Sequence, residues 1–283
     1  MLTSCFDSKS EKKIREDKIA EAPENFKIPP LPDHVTFCGE NFLLSNFDIR
    51  ERLDKELIVN TYFHSHTTQA IKRANRYFEL IEDVLIEQEI PDDFKYLCLI
   101  ESGLTQARSP AGALGFWQFM PQTAKQYGLR VDSEVDERMH IQKSTIAACR
   151  YLKDANEKFD NWLLTSASYN RGIAGIERDL EEQGVSNYFD LHLNSETSRY
   201  VFRILAMKII FENKKAYGYD PDNMELYEPI KTRRIEITES ISDVKKWAKN
   251  QGSNYRMLKL LNPWIIGNRL TYNDSKLIIE LPI

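Results

Sequence analysis

The sequence predicts a mainly α-helical protein that ends in a small module of two strands and two helices. From residue 67 onward, apolar side chains recur at three- and four-residue steps, which is the spacing of one helix face. Between residues 67 and 213, no stretch shows the convincing alternation of a half-buried strand. After residue 229 the pattern changes to strand, helix, helix and strand. These observations predict a helical fold with a βααβ module at its C-terminal end.

The composition is that of an ordinary globular chain. Its 283 residues are 42% hydrophobic and 29% charged, which suffices for one large core and a smaller module. The formal net charge of -5 argues against nucleic acid as a partner, because such binding relies on dense Lys and Arg. No apolar run in the sequence is long enough to span a bilayer.

The N-terminal 27 residues predict a disordered tether. Residues 1–27 lack the apolar periodicity that would offset the entropy cost of ordering them. Their opening, MLTSC, matches the end of a bacterial lipoprotein signal, in which Cys5 would carry the lipid anchor. A chance match to so short a pattern is the alternative.

A helical domain with an N-terminal arm is predicted over residues 28–215. The arm, IPPLPDHV, is Pro-rich and extended, and one or two short helices follow it before residue 63. The clearer helices are predicted at 67–88, from Pro91 onward, at 121–127, 143–159 and 162–169. Another is predicted to begin after residues 194–196, where Asn194 or Ser195 can cap the free backbone N–H groups, and to continue through Ile209. Asp92 and Asp93 would complement the positive end of the helix dipole that begins at Pro91.

The chain changes character at residues 216–229, a stretch rich in Tyr, Pro, Asp and Asn that predicts a linker. Residues 230–283 then contain two strand-like runs, RRIEITES and KLIIELPI. Between them lie two helix-like runs, ISDVKKWAKNQG and YRMLKLLNPW. The predicted order of this module is therefore βααβ.

Glu101 is unusual because it continues an apolar helix face. Phe94, Leu97, Cys98 and Glu101 share that face. A carboxylate there is costly unless it is protonated, paired or functional, and both burial and the negative end of the helix dipole raise its pKa. The sequence therefore predicts a carboxylic acid that donates a proton near neutral pH. A helix-terminal Glu that faces solvent is the alternative.

A loop suited to a large substrate follows this helix. Residues 111–115, AGALG, have almost no side-chain bulk, so their backbone can approach a substrate closely. Residues 116–120, FWQFM, add flat apolar surfaces and one amide, a lining that stacks on sugar rings and hydrogen-bonds their substituents. Packing in the core is the alternative for such an aromatic cluster.

Several longer motifs follow one another in a fixed order. They are ESGLTQARSPAGALGFWQFMPQTAKQYGL at 101–129, VDER at 135–138, STIAACRYLK at 144–153, SYNRG at 168–172 and ETSRYVFRILA at 196–206. In order and spacing they resemble the soluble lytic transglycosylase group of bacterial cell-wall enzymes, most closely its membrane-bound lytic murein transglycosylase D branch. The resemblance covers roughly residues 60–215 and implies a lysozyme-like helical catalytic domain.

The resemblance also implies a function. It implies cleavage of the β-1,4 bond between N-acetylmuramic acid and N-acetylglucosamine in peptidoglycan, with a 1,6-anhydro sugar as product and no cofactor. Glu101 would act alone as general acid and then general base, in place of the usual pair of carboxylates. The residues implied to line the substrate site are Ser102, Ser109, Gln118, Met120, Tyr169, Asn170 and Tyr200.

Individual positions carry more specific expectations. Tyr200 would hydrogen-bond Glu101 and orient it, with a purely structural core role as the alternative. Glu196 is expected to cap its helix, and the acids of the VDER motif are expected to be structural. Arg171 occupies a position that is often small in the family, where it would narrow or charge the cleft.

The C-terminal module resembles a lysin motif, a βααβ unit that binds N-acetylated glycans. The best-matching stretch is LLNP at 260–263. The usual Gly-Asp-Thr-Leu opening is absent, and ESISD at 239–243 stands in its place. Glycan binding by this module is therefore left open.

No metal site is predicted. The four cysteines are far apart and show no CxxC or Cys/His ligand spacing. His64 and His66 lie close together in sequence, but no third ligand lies near them. Cys98 and Cys149 are expected to be buried thiols, and a disulfide between them is left open.

Two further functions stay open. A muramidase of the goose-type lysozyme kind would share the helical fold but activate a water, and a glycan-binding protein without turnover would keep only the cleft.

The resemblance implies the envelope of a bacterium with two membranes. The protein would be free in the periplasm or attached through Cys5, as in an outer-membrane lipoprotein, with peptidoglycan strands as its partner.

Overall fold

In the computed structural model of the chain, the structure describes residues 28–273 and 277–283. The predicted tether over residues 1–27, with Cys5, lies outside them. The described residues form two hydrophobic cores, a large one among the helices and a small one in the C-terminal module. The predicted fold class, mainly α with a small βααβ module, is confirmed. None of the described helices combines the length and hydropathy needed to cross a bilayer.

The described part of the chain contains ten α-helices and four strands. The helices are α1 (Phe47–Tyr62), α2 (His64–Glu87), α3 (Phe94–Ser102), α4 (Pro121–Gln126), α5 (Ile141–Phe159), α6 (Trp162–Arg171), α7 (Ile173–Gln183), α8 (Ser195–Glu212), α9 (Val244–Asn250) and α10 (Tyr255–Leu261). The strands form two antiparallel pairs, β1 (His34–Phe37) with β2 (Glu40–Leu43), and β3 (Thr232–Ile237) with β4 (Leu277–Pro282). Short 3-10 turns lie at Glu137–Met139, Lys214–Tyr217 and Pro221–Asn223.

The stretch predicted as one or two short helices is instead the β1–β2 hairpin followed by one 16-residue helix, α1. α1 begins after Asn46, whose side chain accepts a hydrogen bond from the Asp48 backbone N–H. Phe47, Ile58 and Val59 on this helix are exposed. Apolar residues on the outer side of α1 weaken the periodicity that identifies a helix in the sequence.

α3 is shorter than predicted. Pro91 does not begin the helix, which starts at Phe94 after a turn. The Asp93 carboxylate accepts hydrogen bonds from a backbone N–H at the β1–β2 turn, at 2.7 Å, and from Lys208 Nζ on α8, at 2.5 Å. This carboxylate therefore ties the hairpin and α8 to the start of α3. The helix ends at Gly103, whose φ of 59° is a left-handed conformation that favours glycine.

α8 is the central helix of the large core. Most of its length is buried, and it packs against α1, α3 and α6. Of the two predicted candidates for the cap, it is Asn194 that caps the helix, because the Asn194 side chain accepts hydrogen bonds from the Glu196 and Thr197 backbone N–H groups, both at 3.0 Å. The sequence does not predict α7. The buried residues of α7 are Ile176 and Asp179, so its apolar face is too short to give a clear pattern.

The glycine-rich loop between α3 and α4 is held by its own backbone and by Arg138. Isolated antiparallel bridges join Arg108 to Leu114 and Leu114 to Phe119. Gly115 has a φ of 85°, and a Cβ there would lie 2.1 Å from the Arg138 carbonyl oxygen, so only glycine fits. At this position the close backbone approach is made to Arg138 and not to a substrate, which corrects that part of the prediction.

The C-terminal module has the predicted βααβ order. β3 and β4 pair from Thr232 opposite Pro282 to Ile237 opposite Leu277. The module's core lies between this sheet and the helices α9 and α10, and it also takes in Val135 from the helical domain. The two parts of the chain are therefore in direct contact.

The predicted division of the chain at residues 216–229 stays a prediction. This segment makes several hydrogen bonds to the helical domain. The Tyr219 hydroxyl donates to the Thr61 carbonyl at 2.6 Å, and the Tyr227 backbone N–H donates to the Lys72 carbonyl at 3.2 Å.

Cys98 and Cys149 are buried in the large core, as predicted. Both are free thiols, so the disulfide that the sequence left open is not formed. The Cys98 thiol lies 3.6 Å from the Phe116 carbonyl oxygen, to which it donates.

Candidate active site

Glu101 lies in the last turn of α3, where an apolar helix face reaches the surface. Phe94, Leu97 and Cys98, which share its face, have no exposed area, as the spacing predicts. The Glu101 side chain itself is partly exposed. A proton on this carboxyl is therefore held next to an apolar interior while the group stays accessible from one side.

Tyr200 on α8 donates a hydrogen bond from its hydroxyl to Glu101 Oε1. Tyr200 is only 1% exposed, so its hydroxyl depends on a protein partner, and the carboxyl supplies it. The hydrogen bond crosses from α8 to α3. It therefore fixes the direction in which the other carboxyl oxygen points.

The pKa of Glu101 is raised from its usual 4.5 to about 7. Burial is the largest cause, because removal from water disfavours the charged carboxylate. The Tyr200 hydrogen bond and the positive charge of Arg203 lower the pKa, and the negative charge of Glu196 raises it. The protonated and ionised forms therefore both occur near neutral pH, which suits a group that first donates and then accepts a proton.

Glu196 and Arg203 form a charged pair beside the acid that the sequence did not identify. Arg203 Nη1 lies 3.3 Å from Glu196 Oε1, and the Arg203 guanidinium lies 5.9 Å from the Tyr200 ring centre. The predicted capping role of Glu196 is wrong, because Asn194 caps the helix. Positions 196, 200 and 203 are spaced four and three apart, so their common helix face could have been recognised in the sequence.

Phe116, Trp117 and Phe119 belong to the core, so the predicted aromatic sugar-binding surface is wrong for these three residues. Each is at most 4% exposed. Trp117 Nε1 donates to Thr145 Oγ1 at 2.9 Å, and the Tyr169 hydroxyl donates to the Trp117 carbonyl at 2.9 Å. The aromatic run therefore attaches the glycine-rich loop to the core of the helical domain.

Two of the predicted substrate-site residues, Met120 and Asn170, are exposed. Met120 is 42% exposed at the start of α4. Asn170 lies near the end of α6, and its Oδ1 accepts a hydrogen bond from Thr197 Oγ1 at 2.8 Å. Both side chains are therefore placed where a ligand outside the core can reach them.

Three other predicted substrate-site residues make hydrogen bonds within the protein. Gln118 has a φ of 50°, and its Nε2 donates to the carbonyls of Ala107 and Gly115 at 2.9 and 2.8 Å. Ser109 Oγ accepts the Ala113 backbone N–H at 3.0 Å, across the same loop. Ser102 Oγ donates a hydrogen bond to the backbone carbonyl one helical turn earlier in α3, at 3.4 Å. These contacts shape the loop from within.

The VDER acids and Arg171 are engaged in contacts within the fold. Asp136 forms a nearly buried ion pair with Arg138, at 2.7 Å. Glu137 is buried and accepts a backbone N–H at 2.7 Å. Arg171 pairs with Asp179 at 2.9 Å, so its positive charge is balanced within the fold.

His64 and His66 pack on aromatic rings. The His66 and Phe63 rings are stacked with centroids 5.1 Å apart, and the His64 ring lies 5.9 Å from that of Tyr219. Burial is the main cause that lowers the pKa of His66. Across residues 28–273 and 277–283, no group of three or more His, Cys, Asp or Glu side chains is arranged to hold a metal ion.

Two family models match the chain. Residues 87–191 match the transglycosylase SLT domain, and residues 233–283 match the soluble lytic transglycosylase C-terminal LysM-like domain. The chain therefore contains a transglycosylase SLT domain followed by a soluble lytic transglycosylase C-terminal LysM-like domain.

The chain is homologous to membrane-bound lytic murein transglycosylase D from Escherichia coli K12 and from Escherichia coli O6:H1 strain CFT073. Each is 29% identical over 252 residues, which make up 86% of this chain and 54% of the relative. The chain thus spans about half the length of these relatives.

Among solved structures, the 70 kDa soluble lytic transglycosylase SLT70 from Escherichia coli matches with a TM-score of 0.41 and 20% identity, over 64% of this chain and 33% of that one. An inactive mutant of the lytic transglycosylase Slt from Pseudomonas aeruginosa matches with a TM-score of 0.40 and 18% identity, over 60% and 31%.

Replacing Glu101 with Gln should change how stability depends on pH. Since the pKa is about 7 in the folded protein and 4.5 is the usual value, the free energy of unfolding of the wild type falls as pH rises between these values. Glu101→Gln lacks this loss. Its stability relative to the wild type should therefore increase by up to about 3 kcal/mol between about pH 4.5 and about pH 8. Urea unfolding at a series of pH values measures the difference.

The matched control is Glu79→Gln, which changes an exposed carboxylate on α2. Its stability should follow that of the wild type across the same pH range. If Glu101→Gln and the wild type also give parallel curves, Glu101 is not desolvated in the fold.

Proposed function

We propose that this protein is a peptidoglycan lytic transglycosylase. It cleaves the β-1,4 bond between N-acetylmuramic acid and N-acetylglucosamine, with Glu101 as the single general acid and base. The observation that carries the proposal is the pKa of Glu101, raised to about 7 at a partly exposed carboxyl held by Tyr200. The match of residues 87–191 to the transglycosylase SLT domain and the similarity to lytic murein transglycosylase D support the choice of substrate.

The first step uses the protonated form of Glu101. Its carboxyl donates the proton to the glycosidic oxygen as the bond between that oxygen and C1 of N-acetylmuramic acid breaks. The proton leaves with the N-acetylglucosamine, and Glu101 becomes a carboxylate. A pKa near the working pH lets the acid hold its proton before the step and release it during the step.

The second step uses the carboxylate form. Glu101 accepts the proton of the C6 hydroxyl on the same N-acetylmuramic acid while the C6 oxygen forms a bond to C1. The product is a 1,6-anhydro sugar, the acid regains its proton, and no water is consumed. Tyr200 and Arg203 favour this carboxylate because each lowers the pKa of Glu101.

The substrate-binding residues proposed from the sequence take different roles in this scheme. Met120 and Asn170 are exposed and would contact the glycan directly. Ser102, Ser109, Gln118 and Tyr169 would act through the shape of the wall, since their polar groups hold the backbone of α3 and of the loop that follows it.

Digestion of purified murein sacculi tests the proposal. The wild type should release anhydro-muropeptides, identified by mass spectrometry, and Glu101→Gln should lower the rate by about 10²- to 10⁴-fold, as expected for loss of a general acid. Glu79→Gln should digest sacculi at the wild-type rate. Products with reducing ends would indicate a hydrolase, and binding to sacculi without soluble product would indicate a glycan-binding protein. Either outcome contradicts the proposal.

We also propose that the protein works in the bacterial cell envelope. The relatives to which it is similar are named membrane-bound lytic murein transglycosylase D. If the MLTSC sequence is a lipoprotein signal, Cys5 attaches the protein to the outer membrane.

Replacing Cys5 with Ala in the full-length gene tests the lipid anchor. The wild-type protein should sediment with the membrane fraction, and Cys5→Ala should move to the soluble fraction. Cys38→Ala is the matched control for loss of a thiol. An unchanged distribution for Cys5→Ala would show that this residue is not the anchor.

A further inference from the structure

Residues 134–136 of the helical domain are built into the C-terminal module. Val135 is fully buried in the module's core and forms a bridge with Ile265. The backbone N–H groups of Ile266 and Gly267 both donate to the Glu134 carbonyl at 2.9 Å. A Cβ on Gly267 would lie 3.0 Å from the Glu134 Cα, so the backbones of the two segments are in close contact. The module is therefore docked on this segment.

The Glu134 carboxylate ties the same segment to the module a second time. Its Oε1 accepts hydrogen bonds from Arg269 Nε at 2.5 Å and Thr271 Oγ1 at 3.1 Å, and its Oε2 accepts the Thr271 backbone N–H at 2.8 Å. The Glu134 side chain is only 9% exposed. These hydrogen bonds, first of all the one from the Thr271 backbone, lower the pKa of Glu134, so the group stays charged.

The next residues connect the module to the glycine-rich loop. The Asp136 backbone N–H donates to the Trp264 carbonyl at 2.8 Å, and the Asp136 carboxylate pairs with Arg138 through two hydrogen bonds, at 2.9 and 2.7 Å. Arg138 Nη1 then donates to the carbonyls of Gly112 and Phe119, at 2.9 and 3.0 Å. Those carbonyls lie at the two ends of the loop segment 112–119, so one guanidinium holds both ends.

We propose that Glu134 is a positioning residue through which the docked C-terminal module holds loop segment 112–119 in the shape that substrate binding requires. The effect on the reaction rests on the proposed function, whereas the effect on the loop does not. Glu101 and Tyr200 lie on α3 and α8, outside this series of contacts. Loss of Glu134 should therefore weaken substrate binding and leave the titration of the acid unchanged.

Hydrogen exchange of the full-length chain tests the contact without requiring activity. In Glu134→Ala, amides of residues 106–120 should exchange about 3- to 30-fold faster than in the wild type, while those of α3 and α8 keep their rates. Glu134→Gln, which keeps the shape but loses the charge, should give a smaller increase. The control Glu239→Ala, an exposed acid in the same module, should give none.

Kinetics on soluble, uncrosslinked glycan strands test the consequence. Glu134→Ala should raise KM about 3- to 10-fold, and the midpoint of the pH profile of kcat should stay at the wild-type value. A role in stability alone would lower the unfolding temperature without this change in KM, measured well below that temperature.

Two results would overturn the proposal. If exchange at residues 106–120 is unchanged in Glu134→Ala, the module does not support the loop. This holds whether or not exchange becomes faster in the module. Faster exchange there with an unchanged KM would show that the support has no role in substrate binding. If exchange rises throughout Glu134→Ala, the milder Glu134→Gln is judged by the same two criteria. A wild type that releases no glycan product contradicts the proposed function, and hydrogen exchange still decides the role of Glu134.

Discussion

The hydrogen bond between Tyr200 and Glu101 joins the two helices on which the site is built. Burial drives the carboxyl towards its neutral form, while the hydroxyl and the charge of Arg203 stabilise the ionised form. The pKa of Glu101 therefore depends on the distance between α3 and α8. A gap between these helices would admit water to the carboxyl and move Tyr200 and Arg203 away from it. The ion pair of Asp93 with Lys208, at 2.5 Å, holds the same two helices together at the other end of α3. Packing of the core and acidity of the site are therefore set by the same contact between helices.

The features that the sequence predicted are those whose physical cause lies in residues close by in the chain, such as a regular apolar spacing or an acid on an apolar helix face. The helices α2 and α5 carry regular apolar faces and could be located from periodicity alone. Glu101 was recognisable because an acid on an apolar face is costly. Asn194 was recognisable as a candidate cap, together with Ser195, because its side chain can satisfy backbone N–H groups a few residues away. In each case the physical cause lies within a few turns of chain.

The features that the sequence missed depend on contacts between distant segments. Trp117 and its aromatic neighbours fit a core or a sugar-binding surface equally well, and only the packing of α5 and α6 against them decides for the core. In the sequence, Gly115 has the pattern of a flexible loop position. In the fold, its missing side chain leaves room for the Arg138 carbonyl oxygen. Val135 gives no local sign that it completes the core of a module more than a hundred residues later in the chain. Such long-range contacts leave no periodic signal in a single sequence.

Direct titration of the Glu101 carboxyl tests the account most closely. The side-chain carboxyl carbon can be followed by ¹³C NMR in protein with labelled glutamate, and its signal can be assigned because it is missing from Glu101→Gln. We expect a titration midpoint at about pH 7, the value that burial produces against the Tyr200 hydrogen bond. A midpoint near 4.5, the usual value for glutamate, would show a solvated carboxylate and contradict the role of Glu101 as a proton donor.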